Sequence, residues 1–325
     1  MQSEVTHQGD QRLSLAQLQA WEALGLGMFI HFGMSTFDGQ ELSRGDQPST
    51  RYAPDCLDVD QWISIARDAG MRYAVLTTKH VSGHCLWPSR HTDYHVGTSG
   101  NPTDVVEAFV RACERRGLMP GFYYCSWDNH HRLGSLTPSD TRWENAFTTQ
   151  TYRDFQWAQL EELLTRYGPI GEVWVDIPKV LPRDYRHHLY AHIAELQPQA
   201  VIMMNNGIGD GSRLSIPDTW PTDIMAIERF LPNSHTGYLR WHEIEGNRYY
   251  VPGEVCDPIG REWFYVEGDQ PRSDAELLGM ALVSRSRSAN LMLDVGPDAH
   301  GLIPQHYQAA LVRLRKNIDQ LGLDV

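Results

Sequence analysis

The sequence lacks several features that would assign it to common classes of protein. It has no run of about 18 apolar residues, the length that a membrane-spanning helix needs. Its cysteines form no C-x-x-C pair, and an odd, scattered set in a chain of this length is neither a disulfide framework nor a zinc ribbon. We therefore expect no transmembrane helix, and reduced thiols at Cys56, Cys85, Cys113, Cys125 and Cys256.

Basic residues are also in short supply. The chain has 28 Lys and Arg against 41 Asp and Glu, which gives a formal net charge of −13 at pH 7. Nucleic acids and anionic membranes both require a basic surface, so we expect neither as a partner, and a neutral ligand fits the charge. The segment Met1–Gln11 is polar and lacks the apolar core of a signal peptide. The compartment is left open: cytoplasmic, or periplasmic or secreted if a signal peptide was removed.

The chain does show a repeated alternation of short apolar strands with helical stretches. The clearest strand follows the turn at 167–169 and ends on the carboxylate of Asp176. Apolar β-forming residues between turn signals favour a strand at this length. Seven further strands are predicted, at Met28–Gly33, Tyr73–His80, Pro120–Ser126, Ala200–Asn206, Asp223–Glu228, Tyr250–Val255 and Asn290–Val295.

Helices are predicted between most of these strands, with turn-forming sequence alone between the fifth and the seventh. Such alternation predicts a parallel sheet with helical crossovers. Eight strands predict an α/β fold, a single TIM-like (β/α)8 barrel with irregular fifth and sixth βα units, and we expect one domain over residues 1–325. The predicted helices are 13–22, Val59–Ala69, Thr103–Arg116, Tyr152–Arg166, Asp184–Leu196, Asp274–Arg287 and Gln305–Leu321.

Polar side chains follow the predicted strands, at the end where (β/α)8 barrels place their chemistry. They include no basic cluster and no glycine-rich phosphate loop. Aromatic rings stack on the CH faces of sugars, and His, Asn and carboxylates bind hydroxyl groups. Two carboxyl groups across a glycosidic bond are what glycoside hydrolysis requires. In chain order these side chains are His31, His80, Tyr123 and Tyr124 with Trp127, Asp176, Asn205 with Asn206, Glu228, Glu254 and Asp294.

Two alternatives compete with this interpretation. Asp176 by itself could be a helix cap or a turn residue, which are common roles for aspartate. His80, His84, His91 and His95 fall within sixteen residues and could hold a metal ion in a barrel hydrolase. Glycine, proline and aspartate between these histidines indicate a loop rather than a helix, and the first strand carries one His instead of an H-x-H pair. We predict no metal and no cofactor.

Motifs in a fixed order connect these residues to a known family. They are Gly27–Gly33, Ala69–Tyr73, Thr78–Trp87, Gly117–Leu118, Gly121–Asp128, Tyr167–Pro169, Val173–Asp176, Glu254–Cys256, Trp263–Tyr265 and Ala289–Pro297. Together they resemble the α-L-fucosidases, family 29 of the glycoside hydrolases. The resemblance covers most of the chain in the family's order, which makes it specific although each motif alone is weak.

The resemblance implies a retaining exo-α-L-fucosidase that removes terminal α-L-fucosyl residues from a fucosylated oligosaccharide or glycoconjugate. Asp176 matches the family's nucleophile, so a covalent fucosyl-enzyme is expected, with the two carboxyl groups about 5–5.5 Å apart. The strand ends add Trp127 and Asn205 as candidate sugar contacts. Contacts implied by the resemblance are His31, Glu41, His80, Trp87, Tyr123 or Tyr124, and Trp263; Trp87 and Trp263 are alternatively core residues, and His31 an interior histidine.

The resemblance leaves two candidates for the catalytic acid/base. Glu228 stands at the end of the sixth predicted strand, and Glu254 matches the Glu of the family's Trp-Glu-x-Cys segment. We favour Glu228 and expect the other glutamate to line the pocket as well. Two positions depart from the family pattern: Val81 replaces a second histidine, and Leu42 replaces an aromatic residue.

The sequence ends after the last predicted helix, so we expect no C-terminal β-sandwich of the kind that commonly follows the family's barrel. If that domain normally closes the site, the segment Pro232–Arg248 or a second protomer of a homo-oligomer would replace it. Two other functions stay open: a barrel that binds fucosylated glycans without cleaving them, and a metal-dependent hydrolase.

Overall fold

The computed structural model describes residues 9–133, 147–233 and 238–322. Within these ranges the strands are β1 (Leu26–Ile30), β2 (Tyr73–Lys79), β3 (Met119–Cys125), β4 (Glu172–Asp176), β5 (Val201–Met204), β6 (Met225–Glu228), β7 (Trp241–Ile244), β8 (Asn247–Tyr250), β9 (Gly253–Pro258) and β10 (Asn290–Asp294). The helices of the same ranges are α1 (Leu15–Glu22), α2 (Met34–Asp38), α3 (Val59–Asp68), α4 (Val105–Arg116), α5 (Gln150–Arg166), α6 (Arg183–Leu196), α7 (Ile216–Thr219), α8 (Asp274–Ser286) and α9 (Gln305–Gln320).

Eight of the described strands form one parallel sheet, in the spatial order β5-β4-β3-β2-β1-β10-β9-β6. The two strands at the ends of this order approach each other. A bridge joins Met203 to Ile224, and the Asp223 N–H donates to the Ile202 carbonyl at 2.8 Å. The sheet therefore closes into a nearly complete barrel, and the predicted (β/α)8 fold is confirmed.

Side chains complete the seam between β5 and β6, where the backbone ladder is sparse. The Met204 N–H donates to Thr222 Oγ1 at 3.0 Å, and the Ile202 N–H donates to Asp223 Oδ2 at 2.9 Å. The Arg12 guanidinium also reaches Asp223 Oδ2, at 2.5 Å. An unpaired backbone amide in the interior costs free energy, so these side chains stabilise the seam between β5 and β6.

Local sequence fixes the ends of the helices. The side chains of Asp58 and Asp104 cap α3 and α4, and Gly117 ends α4 in the left-handed conformation that glycine adopts at little cost. At α8, Ser273 and Glu276 form a reciprocal capping box. Because these signals are local, each of the seven helices predicted from the sequence lies within two residues of an observed one.

The seventh barrel strand differs from the prediction. The aromatic run before it belongs to an antiparallel hairpin, in which β7 pairs with β8, and the barrel strand β9 starts only at Gly253. Glu254 is therefore the second residue of its strand and does not stand near its end. Part of the predicted closing segment Pro232–Arg248 lies outside the described residues, at 234–237.

The barrel interior and the layer between sheet and helices have separate apolar cores. The interior core includes Phe29, Tyr73, Tyr123, Trp174 and Met292, all buried. Successive side chains of a strand point to opposite faces, so the interior takes alternate residues of each barrel strand. No described helix is both long enough and apolar enough to span a lipid bilayer.

Candidate active site

A pocket of about 510 Å³ opens at the carboxyl ends of the barrel strands. A volume of this order suits a small-molecule ligand. Side chains from or just after β1 to β6 and β9 reach into it. Its lining consists of Phe29, His31, Glu41, Leu42, His80, Val81, Tyr123, Trp127, Trp174, Asp176, Ile177, Pro178, Lys179, Asn205, Asn206, Gly207, Ile208, Asp218, Thr219, Glu228 and Trp263.

Most of the site residues predicted from the sequence meet in this pocket. They come from separate strand ends, which the barrel brings together although the sequence holds them far apart. The predicted residues in the lining are His31, Glu41, His80, Tyr123, Trp127, Asp176, Asn205, Asn206, Glu228 and Trp263. Those outside it are Trp87, Tyr124, Glu254 and Asp294.

Asp176 stands at the last position of β4, and three donors hold its carboxylate. The Tyr123 hydroxyl donates to Oδ2 at 2.6 Å, while the Asn205 side-chain amide and the Ile177 N–H donate to Oδ1 at 2.7 and 2.9 Å. All three donors are uncharged. Among the residues that the structure describes, no Lys or Arg forms an ion pair with Asp176. The carboxylate is thus oriented without being neutralised, as a nucleophile requires.

Glu228 is connected to Asp176 through one amide nitrogen. Asn205 Nδ2 donates to Asp176 Oδ1 at 2.7 Å and to Glu228 Oε2 at 3.0 Å. The two carboxylate oxygens cannot be further apart than the sum of these distances. Burial, and next the negative charge of Asp176, raise the pKa of Glu228 to about 7, although Asn205 and Arg229 act in the opposite direction. The two acids of the pair therefore differ in their environment.

The backbone turns sharply after each of these carboxyl residues. Ile177, which follows Asp176, has φ 48°, and Arg229, which follows Glu228, has φ 61°. Residues other than glycine adopt this left-handed region at a cost of about 1–3 kcal/mol, and such residues cluster at functional sites. β4 therefore ends at Asp176 and β6 at Glu228, and both carboxyl side chains line the pocket.

Two neutral histidines line the pocket beside the carboxyl pair. His31 Nδ1 lies 2.8 Å from Asp294 Oδ1, so Nε2 is the ring atom left for a ligand. Burial lowers the pKa of His31 to about 3, and burial together with the neighbouring His31 lowers the pKa of His80 far below its usual value. His80 Nδ1 is buried without a hydrogen-bond partner among the described residues. A neutral imidazole has one donor and one acceptor, which suits binding of a hydroxyl group.

Aromatic rings form the walls and the floor of the pocket. Trp174 stacks on Tyr123 with centroids 5.7 Å apart and planes 22° apart, and Phe29 packs against Trp174 at 5.3 Å. The ring centroids of Trp263 and His31 are 5.2 Å apart, and the Arg229 guanidinium lies 4.6 Å from the centroid of the Trp263 ring. Rings of this kind offer apolar faces to the CH groups of a sugar.

Glu254 is not in the pocket, contrary to our expectation that both glutamates would line it. In the register of the sheet Glu254 pairs with Ala226, two residues before Glu228 on β6, and its side chain is completely buried. Its oxygens accept from the Tyr73 hydroxyl at 2.6 Å and from Trp174 Nε1 at 3.1 Å. The later start of β9 is the physical reason, because it moves the residue from the strand end into the interior.

A second acid lies against Glu254 in the barrel interior. Glu172, the first residue of β4, accepts from Trp21 Nε1 at 3.1 Å and interacts directly with the Glu254 carboxyl. Burial, and next the charge of Glu254, raise the pKa of Glu172 well above its usual value. Two adjacent carboxyl groups in a dry interior cannot both ionise, so Glu172 carries a proton. We call Glu172 and Glu254 the lower pair, and Asp176 and Glu228 the upper pair.

Trp87 and Tyr124 also lie elsewhere than predicted. Trp87 is buried outside the barrel, where its Nε1 donates to Glu162 on α5 at 3.0 Å. Tyr124 points to the outer face of β3, since Tyr123 beside it points inward, and its hydroxyl accepts from Lys79 Nζ at 2.9 Å. The core alternative for Trp87 is thus what the structure shows, and of the two tyrosines Tyr123 is the one in the pocket.

The histidines that are clustered in the sequence do not form one site in the structure. His80 lines the pocket, whereas His84 is buried behind it, where Nε2 contacts the Ser49 hydroxyl at 3.0 Å and the ring stacks on Tyr52. His95 Nδ1 accepts from a backbone N–H in its own loop. In the described part of the chain, no three His, Cys, Asp or Glu side chains are grouped in a way that could hold a metal ion.

Several residues that line the pocket were not predicted from the sequence. Phe29 on β1 and Trp174 on β4 stand two positions before His31 and Asp176, so the alternation of side chains along a strand could have identified them as inner-face residues. Ile208 lies in an irregular loop, and no sequence signal marks it. Val81 and Leu42, the two departures from the family pattern, both line the pocket.

A (β/α)8 barrel whose strand ends bring two carboxyl groups to one sugar-sized pocket has the architecture of glycosidase catalytic domains. A family model described as Alpha-L-fucosidase matches residues 46–322. The chain belongs to the alpha-L-fucosidase family, as the resemblance of its motifs predicted.

Individual relatives agree with this assignment. Alpha-L-fucosidase 1 of Arabidopsis thaliana is 32% identical over 307 residues, which cover 90% of this chain and 57% of the plant protein. The structure of alpha-L-fucosidase isoenzyme 1 from Paenibacillus thiaminolyticus has a TM-score of 0.75 and 27% identity, covering 94% of this chain and 76% of that one. A glycoside hydrolase 29 family member from a rumen bacterium has a TM-score of 0.74 and 26% identity, covering 92% and 56%. The chain thus spans little more than half the length of the plant relative.

Proposed function

We propose that this protein is a retaining exo-α-L-fucosidase, with the barrel as its catalytic domain, Asp176 as the nucleophile and Glu228 as the acid/base. Its substrate is a terminal α-L-fucosyl residue of an oligosaccharide or glycoconjugate. Membership of the family and the shared Asn205 amide between the two carboxyl groups carry the proposal.

The spacing of the carboxyl groups supports retention of configuration. In retaining enzymes the two carboxyl groups are about 5–5.5 Å apart, and in inverting enzymes about 6.5–9.5 Å apart, which leaves room for a water molecule. The upper pair has oxygens within 2.7 and 3.0 Å of one nitrogen. The two bonded oxygens are therefore no further apart than the sum of these distances, which is below the separation in inverting enzymes and agrees with that in retaining ones.

The environments of the two acids support their division of roles. A carboxyl group whose pKa is about 7 is protonated in mildly acidic solution and still partly protonated at neutral pH, so Glu228 can protonate the glycosidic oxygen. Asp176 lies in a more polar environment with three hydrogen-bond donors. One pocket thus provides a proton donor and an oriented attacking oxygen.

The reaction proceeds in two displacements. An Asp176 oxygen attacks C1 of the sugar while Glu228 gives its proton to the glycosidic oxygen, and the aglycone leaves as an alcohol. Glu228, now ionised, then takes a proton from water, the water oxygen attacks C1, and the ester bond to Asp176 breaks. L-Fucose is released, Asp176 is again a carboxylate and Glu228 is again protonated.

The remaining lining fits a deoxy sugar with several hydroxyl groups. His31, His80 and Glu41 are hydrogen-bonding groups of the inner pocket, and burial raises the pKa of Glu41, so this side chain more readily carries a proton to donate. Apolar side chains such as Phe29 and Val81 offer contact to the methyl group of fucose. The site therefore combines hydroxyl recognition with an apolar surface.

The test is hydrolysis of 4-nitrophenyl α-L-fucoside followed by proton NMR of the sugar anomer that forms first. We expect release of nitrophenol and initial formation of α-L-fucose. Initial β-L-fucose would show inversion and contradict the assigned mechanism. Binding of L-fucose without any hydrolysis would instead indicate a barrel that binds fucosylated glycans without cleaving them.

A further inference from the structure

The proposed proton donor defines the side of the pocket on which the leaving group lies. A general acid must come within hydrogen-bond reach of the glycosidic oxygen, so the aglycone extends from the sugar past Glu228. Glu228 ends β6, and the segment that runs beside it is 205–209. Within this segment Ile208 forms a parallel bridge with Glu228, and the Gly209 N–H donates to the Glu228 carbonyl at 3.1 Å.

The segment leads from the bottom of the pocket to its mouth. Asn205 contacts both carboxyl groups of the upper pair. The chain turns at Gly207, whose N–H donates to the Asn205 side-chain oxygen at 2.7 Å and whose φ is 76°. Ile208 emerges from this turn as a lining residue that is 69% exposed. Its side chain is thus held next to the proton donor and faces solvent when no substrate is bound.

The exposed residues of the described pocket lining are either charged or aliphatic, and the aliphatic ones are Leu42 and Ile208. Lys179 and Asp218, from neighbouring segments, are exposed and charged, whereas Ile208 has no polar group. An aliphatic side chain contributes to binding only when a ligand covers it and removes it from water. A single exposed isoleucine on a protein surface is ordinary. What distinguishes Ile208 is its backbone bridge to Glu228, the residue past which the aglycone extends.

We propose that Ile208 is a specificity-determining residue for the leaving group, and that the preferred substrates are α-L-fucosides whose aglycone presents an apolar face next to the glycosidic oxygen. An aryl ring or the CH face of a pyranose has this property. The inference rests on the proposed function, since it uses Glu228 as the proton donor.

Two substrates separate aglycone contact from every other effect. In 4-nitrophenyl α-L-fucoside the leaving group is an aromatic ring that can cover Ile208, while in α-L-fucosyl fluoride it is a single atom that cannot. For Ile208→Ala we expect kcat/KM on the aryl fucoside to fall roughly 3- to 10-fold, because part of the apolar contact is lost. On the fluoride, kcat/KM should stay within about twofold of the wild type.

Two control variants accompany this experiment. Ile208→Leu keeps the apolar area and should retain the wild-type preference for the aryl substrate. Val312→Ala removes a similarly exposed aliphatic side chain on α9, outside the pocket, and should leave kcat/KM unchanged on both substrates. A thermal melt of each variant shows that it is folded.

Each outcome decides the proposal. If kcat/KM of Ile208→Ala falls equally on both substrates, or falls on neither, the proposed role of Ile208 is wrong. Activity of the wild type in the same experiment still supports the proposed fucosidase function. If the wild type cleaves neither substrate, the proposed function itself fails and the inference fails with it. A fall confined to the aryl fucoside, with Ile208→Leu unaffected, supports the assignment.

Discussion

Two pairs of carboxyl groups lie on the inner face of this barrel, and both use β4. Glu172 begins that strand and belongs to the lower pair, and Asp176 ends it and belongs to the upper pair. In each pair burial and the charge of the neighbouring acid raise the pKa of one member, Glu172 or Glu228, and burial also raises the pKa of Glu254. Only the surroundings distinguish them.

The lower pair is enclosed by donors and the upper pair faces open volume. Trp21, Tyr73 and Trp174 donate to the lower pair, and a Cβ at Gly27 would overlap the Tyr73 ring, so glycine there leaves room for that ring. The upper pair borders a pocket of about 510 Å³. Proximity of two acids therefore does not make a catalytic site. A catalytic site also needs open volume in which a ligand can reach both acids.

The largest expected effect comes from removing the proposed nucleophile. Asp176→Ala should lower kcat by roughly four to six orders of magnitude, as loss of a reacting group does in other enzymes, with little change in thermal stability. Added azide should attack C1 directly and give the inverted β-L-fucosyl azide. Activity within tenfold of the wild type on 4-nitrophenyl α-L-fucoside would show that Asp176 is not the nucleophile.

The same substitution in each pair should give opposite results. Glu228→Gln removes the proposed proton donor, and kcat/KM should fall roughly 10²- to 10⁴-fold. Glu254→Gln, an isosteric change in the lower pair, should leave kcat/KM within about tenfold, because that side chain does not reach the substrate.

Azide provides the control for the proton donor. Glu228→Ala should regain turnover with azide and yield α-L-fucosyl azide with retained configuration. Rescue of Glu254→Ala in its place would reverse our assignment of the two glutamates.

Substitutions in the lower pair should lower the free energy of unfolding more than substitutions in the upper pair. Glu254→Leu leaves the Tyr73 hydroxyl and the Trp174 N–H without an acceptor, and each unsatisfied buried donor costs about 1–3 kcal/mol. Glu254→Gln keeps one acceptor oxygen and should lose less. Denaturant unfolding monitored by circular dichroism measures both, and equal free energies of unfolding for the two variants would contradict the role of these hydrogen bonds.

The proton on Glu172 should make stability depend on pH. Between its ordinary pKa of 4.5 and its raised value, folded Glu172 keeps a proton that the unfolded chain has released. The stabilisation is therefore complete below that ordinary value and is lost as pH rises, by up to about 1.4 kcal/mol per pH unit for one proton. Glu172→Gln should show a less negative slope of unfolding free energy against pH. Identical slopes would mean that Glu172 is ionised in the folded protein.

The smallest effect concerns the coupling within the upper pair. Asp176→Asn removes the negative charge that contributes to the pKa of about 7 for Glu228, so that pKa should fall while burial keeps it above the ordinary value. Carbon-13 NMR of labelled glutamate carboxyl groups measures this shift in the inactive variant. A rise in the pKa would contradict the assigned electrostatics.

The comparison also shows where sequence patterns reach their limit. The identity of Asp176 and Glu228 as strand-end acids followed from apolar runs that end on a carboxylate, which is a local signal. Glu254 carried the same local signal and a family motif as well. Its place depended on whether the preceding aromatic residues, among them Tyr250, joined the barrel or a hairpin, and only pairing between distant segments decides that.

The sequence by itself determined the alternation of strands and helices, the ends of the helices and the family, because capping residues, glycines and apolar periods act over a few residues. Only the tertiary structure decided which acids face each other, which tyrosine points inward and which aliphatic side chain lies beside the proton donor. Those properties depend on strand register and on the burial that eight strands create together, and a shift of two residues along one strand moves a carboxyl group from a pocket into a dry core.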